Sequence, residues 1–271
     1  MKTIALAGCS NPPHAWLRDS VSGVREVVEA AGYTLDTRII ERFEGHEHRT
    51  RSARIWRIAR RARAELLNEL YADDAVDAIF DVTGGDLANE ILDLIDWDVV
   101  RAHPKPFAGF SDLSTIVNAI PVMTGQRAVL WNPKTIIVRG AGDIEPILSG
   151  ERIRPLSRGA HELPDVPIIG GNIRCFTKLA GTKYWPDSSG RLVLLEAIGP
   201  GLEASTSYME QMRQLGLFAD AAGLLLGQFT SIDGDDDRRA LIEVAREITG
   251  LDVWEVPEIG HSRDTAPVTI G

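Results

Sequence analysis

The chain has 271 residues, of which 44% are hydrophobic and 25% are charged. This length and composition support a hydrophobic core in one large domain or two modest ones, and they exclude disordered, collagen-like and solenoid proteins. The formal net charge of −10 gives no general attraction to nucleic acid, so we expect no nucleic-acid partner.

The two cysteines, Cys9 and Cys175, lie far apart and match neither a metal-ligand spacing nor a disulfide framework. This usage suits a reducing compartment. The first apolar stretch, residues 4–8, is too short for the core of a signal peptide, and no run approaches the roughly 20 apolar residues of a membrane span. We therefore expect a cytoplasmic protein that does not associate with membranes.

The first half of the chain alternates predicted strands with predicted helices. Several of the strands run into glycine-containing turns, which favours a parallel α/β sheet. Ligands of such sheets gather beyond the carboxyl ends of the strands, where the loops 8–13, 83–85 and 109–112 fall. Strands are predicted over 4–7, 33–40, 76–82 and 107–110, and helices over 17–32, 49–70, 87–95 and from residue 114 onward.

After about residue 121 the alternation becomes less regular. The segment 133–168 is rich in Pro, Gly, Arg and Glu and is predicted as loop or linker. Beyond it, strands are predicted over 192–195, 222–229 and 251–256, helices over 207–215 and 238–249, and an acidic turn over 233–237. We predict an N-terminal parallel α/β domain over 1–135, a linker over 136–168 and a smaller mixed α+β domain over 169–271.

The tetrapeptide Gly109-Phe110-Ser111-Asp112 lies between a predicted strand and a predicted helix. A serine at such a turn projects its hydroxyl from the sheet edge, where free N–H groups at the helix N-terminus suit an oxyanion. The second glycine of a G-x-S-x-G elbow is missing, because Leu113 stands in its place. Ser and Asp are ordinary capping residues, so these four residues alone favour a helix cap over a nucleophile.

A serine nucleophile needs a base, normally histidine, and a group that orients the base. Among the six histidines, His261 differs because it follows Gly260 in a loop directly after the predicted strand 251–256. Glu196 ends the unusually apolar strand 192–196. Taken singly, His261 remains compatible with a surface loop and Glu196 with an exposed strand end.

Together these residues resemble the LD-carboxypeptidase family of serine peptidases, which includes the muramoyl-tetrapeptide carboxypeptidases and the microcin-immunity peptidases. The similar segments occur in the family's order along nearly the whole chain. They are Thr83-Gly84-Gly85, the helix 91–96, Gly109-Phe110-Ser111-Asp112, Gly170-Gly171-Asn172, Leu179-Ala180-Gly181-Thr182, Leu194-Leu195-Glu196, the strand 223–229 and Gly260-His261.

The resemblance implies a catalytic triad of Ser111, Glu196 and His261 at the interface of two domains. It also implies an oxyanion hole formed by the backbone N–H groups of Gly85 and Asp112. The implied enzyme is a serine carboxypeptidase that needs neither metal nor cofactor and acts as a homodimer. Its implied substrate is a small peptide with a C-terminal D-amino acid, as in peptidoglycan recycling.

Three residues are expected to contact the substrate: Gly84, Asp86 and Trp131. Asp86 stands where the peptidoglycan enzymes usually carry an aromatic residue, and Ala197 follows the triad glutamate where the family often has aspartate. The segment 131–133 (Trp-Asn-Pro) replaces a glycine-proline motif. These departures leave the triad intact and keep other functions open: a microcin-immunity-like hydrolase of aminoacyl-nucleotide conjugates, an esterase, or a non-catalytic binding protein on the same scaffold.

Seven arginines lie between residues 49 and 63, on a predicted helix. A basic helix can bind nucleic acid or a membrane surface. Since the remainder of the chain is acidic, we favour a solvated helix face. The acidic stretch 233–237 lacks the ligand spacing of a calcium loop and is predicted as a solvated turn.

Overall fold

Two β-sheets organise the chain in the computed structural model, which describes residues 1–11, 16–43, 53–157, 162–232 and 234–271. The larger sheet has the strand order β10-β5-β4-β3-β1-β2, and all its pairs are parallel except the antiparallel pair β10–β5. Its strands are β1 (Thr3–Ala7), β2 (Thr34–Asp36), β3 (Ala78–Asp81), β4 (Phe107–Gly109), β5 (Ala128–Leu130) and β10 (Val268–Ile270).

The smaller sheet has the order β6-β7-β8-β9, and its three pairs are all parallel. Apolar side chains fill one of its two central strands, in which residues 192–195 are fully buried. Such continuous apolar runs are typical of parallel strands that are covered on both faces. The strands are β6 (Ile168–Asn172), β7 (Leu192–Ala197), β8 (Gly223–Phe229) and β9 (Val253–Glu255).

Helices and short 3₁₀ turns connect the strands. The α-helices of the described residues are α1 (Trp16–Ala30), α2 (Arg38–Phe43), α3 (Ala53–Ala72), α4 (Trp97–Ala102), α5 (Ser114–Thr124), α6 (Ile136–Arg139), α7 (Ile144–Leu148), α8 (Ile173–Phe176), α9 (Leu202–Gln214) and α10 (Asp235–Thr249). The 3₁₀ turns are Ala88–Ile91, Ser111–Leu113, Pro133–Thr135, Ala141–Asp143 and Thr177–Leu179. None of the helices that the structure describes has both the length and the apolar composition needed to cross a bilayer.

The predicted α/β class is confirmed, and the smaller unit is more regular than the mixed α+β arrangement expected from the sequence. Two features hide that regularity. The strand β6 contains Gly170 and Gly171, and glycine weakens the pattern of a strand. The helical structure in the connection from β6 to β7 is the one-turn helix α8 and a 3₁₀ turn. The long helical sequence pattern that usually separates two parallel strands is therefore missing.

Several predicted elements have different limits in the structure. The strand expected over 33–40 stops at Asp36, whose Oδ1 accepts a hydrogen bond from the Arg38 N–H (2.9 Å) as α2 begins. The helix expected over 87–95 is a single 3₁₀ turn. The acidic residues 235–237 form the first turn of α10, where the helix dipole favours negative charge, so that part of the predicted turn is wrong. Residues 12–13, 49–52 and 233, which also carried predictions, lie outside the described ranges.

The segment expected to be a linker has helical structure of its own. It includes α6 and α7, and a contact joins α6 to α1 of the first half. The strand β10 follows the smaller sheet in sequence but pairs with β5 in the larger one. The Gly271 N–H also donates to the Ile168 carbonyl at the start of β6 (2.9 Å), so this strand ties the two sheets together. The domain limits 1–135, 136–168 and 169–271 stay a prediction.

Candidate active site

Ser111 occupies a strained turn between β4 and α5. Its φ is +59°, and in the described part of the chain it is the one residue other than glycine that has a positive φ. A left-handed conformation costs an L-residue about 1–2 kcal/mol. Sharp strand-to-helix turns of this kind expose a serine hydroxyl at the top of a parallel sheet.

Ser111 is not the N-cap residue of α5, so its interpretation as a helix cap is wrong. The residue before α5 is Leu113, and neither Leu113 nor Phe110 supplies a side-chain cap. Leu113 is fully buried, and a Cβ added to Gly109 would lie only 2.8 Å from its Cβ. The turn therefore uses Leu113 as a packing residue against Gly109, at the position where a G-x-S-x-G elbow has its second glycine.

Ser111, His261 and Glu196 form one chain of hydrogen bonds. The His261 Nε2 lies 3.2 Å from the Ser111 Oγ, and the His261 Nδ1 lies 2.7 Å from the Glu196 Oε2. The Phe110 ring packs against the imidazole, with the ring centroids 4.8 Å apart. This is the arrangement in which an imidazole withdraws a serine proton while a carboxylate orients the ring and stabilises its charged form.

Glu196 reaches the imidazole from a fully buried position near the end of β7. The pairing of β7 with β8 shifts register between Leu195 and Ala197, and such bulges re-aim a side chain. Its Oε1 is buried and has no hydrogen-bond partner among the protein atoms that the structure describes. His261 is thus the hydrogen-bond partner of this buried carboxylate. The interpretation of Glu196 as an exposed strand end is wrong.

Gln228 holds the loop that carries His261, and the sequence did not identify it. Its side-chain amide donates to the Pro257 carbonyl and to the Ser262 Oγ, both at 2.8 Å, and its Oε1 accepts from the Ser262 N–H at 2.8 Å. Gly260 makes this close packing possible, because an added Cβ would lie 2.4 Å from the Gln228 Cβ. The available signal was a single amide within the otherwise apolar strand β8.

Asp112, next to the serine, is a fully buried carboxylate that joins three loops. It accepts hydrogen bonds from the Ser10 Oγ (2.6 Å), the Ala88 N–H (2.7 Å) and the Lys178 ammonium (2.6 Å). Burial alone would raise the pKa of Asp112, but the hydrogen bonds from Lys178 and Ser10 outweigh it and hold the pKa below its usual value. The ionised carboxylate therefore fixes the backbone around Ser111.

Gly85, one of the two predicted oxyanion-hole residues, has a backbone conformation that requires glycine. Its φ is +139°, and an added Cβ would lie 2.2 Å from the Asn11 side chain. The Asn11 Oδ1 accepts a hydrogen bond from the Asp86 N–H at 2.9 Å, which fixes the next residue of the loop. That the N–H groups of Gly85 and Asp112 hold an oxyanion stays a prediction.

The three predicted substrate contacts have different surroundings. Gly84 is half-buried and an added Cβ would meet no atom within 4 Å, so space is open beside it. Asp86 is exposed and forms an ion pair with Arg174. Trp131 is only 1% exposed and packs edge-on against Phe80, with the ring centroids 5.4 Å apart. A side chain this buried offers no surface to a substrate, so we withdraw the expectation that Trp131 binds one.

The signature Gly170-Gly171-Asn172 lies where the two sheets' domains meet. The Asn118 side chain of α5 exchanges two hydrogen bonds with the backbone of Gly170, at 2.7 and 2.8 Å, and the Ser114 Oγ accepts from the Asn172 N–H at 2.9 Å. A Cβ on Gly171 would lie 2.5 Å from the Ser114 Oγ. Gly171 therefore allows the helix that follows Ser111 to dock directly on β6.

One arginine of the basic helix is part of the site's framework, which the prediction of a solvated face missed. Arg63 is 1% exposed, and its guanidinium donates to the carbonyls of Cys9, Ser10 and Leu87 (3.0, 2.7 and 3.1 Å) and to the Glu90 carboxylate (2.6 Å). It thus ties the loop after β1 to the loop after β3. Arg61 is exposed and Arg60 half-buried, whereas Arg49 and Arg51 and the side chains of Arg54 and Arg57 lie outside the described part.

Neither thiol suits nucleophilic chemistry. Burial raises the pKa of Cys175 to about 12 and also raises the pKa of Cys9 well above its usual value. Both cysteines are free and buried. Within the described ranges, no group of three or more His, Cys, Asp or Glu side chains is placed to hold a metal ion.

The chain is similar to known proteins in sequence and in fold. A probable murein peptide carboxypeptidase of Bacillus subtilis is 28% identical over 177 residues, which are 60% of this chain and 55% of that protein. An MccF-like protein from Bacillus anthracis superposes with a TM-score of 0.82 at 20% identity, over 99% of this chain and 91% of the other. The muramoyltetrapeptide carboxypeptidase from Oxalobacter formigenes gives 0.77 at 19% identity, over 100% and 93%.

Both halves of the chain match one family of hydrolases. The LD-carboxypeptidase N-terminal domain matches residues 4–130, and the LD-carboxypeptidase C-terminal domain matches residues 166–271. Together the two matches include the turn of Ser111, the strand end of Glu196 and the loop of His261. The chain therefore belongs to the LD-carboxypeptidase family.

Proposed function

We propose that this chain is a serine carboxypeptidase that hydrolyses the LD-peptide bond to a C-terminal D-amino acid. Ser111 is its nucleophile, His261 its general base and Glu196 the group that orients the histidine. The observation that carries the proposal is the continuous hydrogen-bond chain through these three side chains, which come from distant parts of the sequence. The strained backbone of Ser111 supports it, because such strain clusters at functional sites.

The reaction begins when the Ser111 Oγ attacks the carbonyl carbon of the scissile amide. The hydroxyl proton moves to the His261 Nε2, and the imidazolium is stabilised by the buried Glu196 carboxylate. When the carbon–nitrogen bond breaks, the same proton passes to the leaving amine. A water molecule then attacks the acyl ester, gives a proton to His261 and releases the shortened peptide, and the proton returns to Ser111.

Charge develops on the carbonyl oxygen in both steps, and backbone N–H groups are suited to hold it. We assign this role to the N–H groups of Gly85 and Asp112. Each belongs to a loop whose position is fixed by buried polar contacts: Asn11 bonds the residue after Gly85, and the Asp112 carboxylate binds Ser10 and Lys178. Fixed donors stabilise charge without reorganising during the reaction.

The proposal is tested with a murein tetrapeptide that ends in a D-amino acid. The wild-type protein should release that amino acid, and Ser111→Ala should reduce kcat by about 10⁶-fold, as loss of a triad nucleophile does. A fluorophosphonate probe should label the wild type and not the variant. A wild type that neither turns over the peptide nor takes the label would favour a binding protein.

A second candidate is hydrolysis of aminoacyl-nucleotide conjugates, as in the microcin-immunity peptidases. It is favoured by Asp86, which stands where the peptidoglycan enzymes usually carry an aromatic residue, and is compatible with the structural likeness to an MccF-like protein. The two substrates should be compared at equal concentration. Faster turnover of the conjugate would replace the first assignment, and turnover of simple esters alone would indicate an esterase.

We also propose that the protein acts in the cytoplasm on recycled cell-wall peptides and forms a homodimer. Light scattering coupled to size-exclusion chromatography measures the mass in solution directly. A mass of 29.7 kDa, that of one chain, would contradict the dimer.

A further inference from the structure

We propose that the guanidinium of Arg174 forms the subsite that recognises the terminal carboxylate of the substrate. The inference rests on the proposed carboxypeptidase function and names the group that restricts cleavage to the last residue of a peptide. Asp86, which holds Arg174 in the structure, then acts as an internal substitute for the substrate's carboxylate.

The position of Arg174 follows from the start of the smaller domain. The strand β6 ends at Asn172, whose side-chain oxygen accepts from the Cys175 N–H at 3.2 Å and begins α8. Arg174 lies in this one-turn helix and extends across the domain interface to the loop after β3. There it forms an ion pair with the Asp86 carboxylate, and its second terminal nitrogen lies 3.5 Å from the Gly85 carbonyl.

Among the described residues, Arg174 and Lys178 both contact Gly85 or Asp86 of this loop, but of these two cations only Arg174 is exchangeable. The Lys178 ammonium donates to the buried Asp112 carboxylate (2.6 Å) and to the Asp86 carbonyl (2.8 Å), and removing it would leave Asp112 as an uncompensated buried charge. The Arg174 side chain is 39% exposed and its partner Asp86 is 57% exposed. Exposed ion pairs contribute little net stability, so an incoming carboxylate can replace Asp86.

The chemistry of the substrate favours a cation at this place. In an exopeptidase substrate the terminal carboxylate is attached to the carbon next to the scissile nitrogen. A group that binds it must therefore lie beside the oxyanion hole, and Arg174 contacts the same residue, Gly85, whose N–H we assign to that hole. A guanidinium also matches a carboxylate with two parallel hydrogen bonds, which a lysine cannot do.

The subsite can be measured without turnover. In the Ser111→Ala background, isothermal titration calorimetry would measure the Kd of a murein tetrapeptide with a free C-terminal carboxylate and of the same peptide with a C-terminal amide. We expect Arg174→Gln to weaken binding of the free acid by about 10- to 100-fold, the usual effect of losing a hydrogen bond to a charged group, and to leave the amide unchanged. The matched control is Arg213→Gln, which removes a similarly exposed arginine paired with Glu210.

A second variant separates the role of Asp86 from that of Arg174. Asp86→Asn should raise the affinity for the free acid a few-fold, because it removes the internal competitor. An unchanged affinity would overturn the substitution model, and a weaker affinity would assign Asp86 to the substrate and overturn it as well. In the active enzyme, Arg174→Lys should raise KM for the tetrapeptide much more than it changes kcat.

Other results would overturn the subsite itself. These are equal loss of acid and amide binding in Arg174→Gln, no loss of either, or no measurable binding of the free acid while Arg174 is present. An aminoacyl-sulfamoyl nucleotide also carries an anionic group next to a scissile bond, but that group is not a terminal carboxylate. If Arg174→Gln weakened that ligand alone, the carboxylate assignment would fail. If the free acid were bound selectively but the wild-type protein did not hydrolyse it, the proposed function would be refuted and the subsite would be retained.

Discussion

Replacement of Ser111 by glycine should abolish activity and stabilise the protein at the same time. The φ of +59° strains an L-residue, whereas glycine adopts it freely. Relief of the left-handed conformation is worth about 1–2 kcal/mol. Part of that gain is offset by the larger conformational entropy of glycine in the unfolded chain, roughly 0.5–1 kcal/mol. The midpoints of these two ranges leave a net gain of about 0.75 kcal/mol, which raises Tm by about 1.5–3 °C in a domain of this size.

The matched control is Ser111→Ala, which removes the same hydroxyl but keeps the Cβ and therefore the strain. Differential scanning calorimetry would compare Tm for the wild type and the two variants at one pH, and turnover of the tetrapeptide would be measured in parallel. Both variants should be inactive, and only the glycine variant should melt above the wild type. Equal Tm values for the glycine and alanine variants would refute the inference that the turn is strained.

Four further variants test the framework around the serine. Glu196→Gln should reduce kcat by about 10⁴-fold with little change in KM, because a neutral amide no longer fixes the imidazole tautomer; an unchanged kcat would remove Glu196 from the mechanism. Gln228→Ala should reduce kcat by roughly 100-fold through misplacement of the histidine loop, and a crystal structure of the variant with that loop unmoved would contradict this reasoning. Arg63→Met should destabilise the fold by about 3–5 kcal/mol in urea denaturation because it leaves buried partners unpaired, whereas the exposed control Arg61→Met should change little. The pKa of Asp112 is lowered in the folded state. The ionised carboxylate therefore stabilises the fold fully above its ordinary pKa of about 3.9, and this stabilisation is lost as the pH falls through the lowered pKa. Tm measured between pH 6 and pH 3 should consequently fall less steeply in Asp112→Asn than in the wild type.

The general plan of the fold could be predicted because long apolar runs carry strong patterns. The run 192–195 is a strand that is buried on both faces, and the alternation of strands and helices in the first half is that of a parallel sheet. The strands that were missed, β5, β6 and β10, have three to five residues or contain glycine pairs. At that length, hydrogen bonding to neighbouring strands decides whether a segment is a strand. The local sequence pattern does not show which strands will be its neighbours.

The chemistry-bearing residues divide in the same way. Ser111, Glu196 and His261 could be predicted to form one site because the family's motifs occur in order around them, although each alone was ambiguous; their catalytic roles stay a prediction. Arg63 could not be separated from the arginines beside it, since one step along a helix decides whether a side chain faces solvent or the loops. Trp131 was misassigned for a similar reason, because a tryptophan near a site is equally suited to the core beneath it.

The strand β10 also sets the order in which the larger sheet is completed. It pairs antiparallel with β5 at the edge of that sheet, although its residues are 138 positions or more further along the chain than those they pair with. Domains are generally made N-terminal first during translation. On the ribosome, β5 is therefore an unpaired edge until residues 268–270 have been synthesised, and unpaired edges invite association with other chains. His261 is made shortly before them, so the same late segment that protects the edge also brings the imidazole to Ser111.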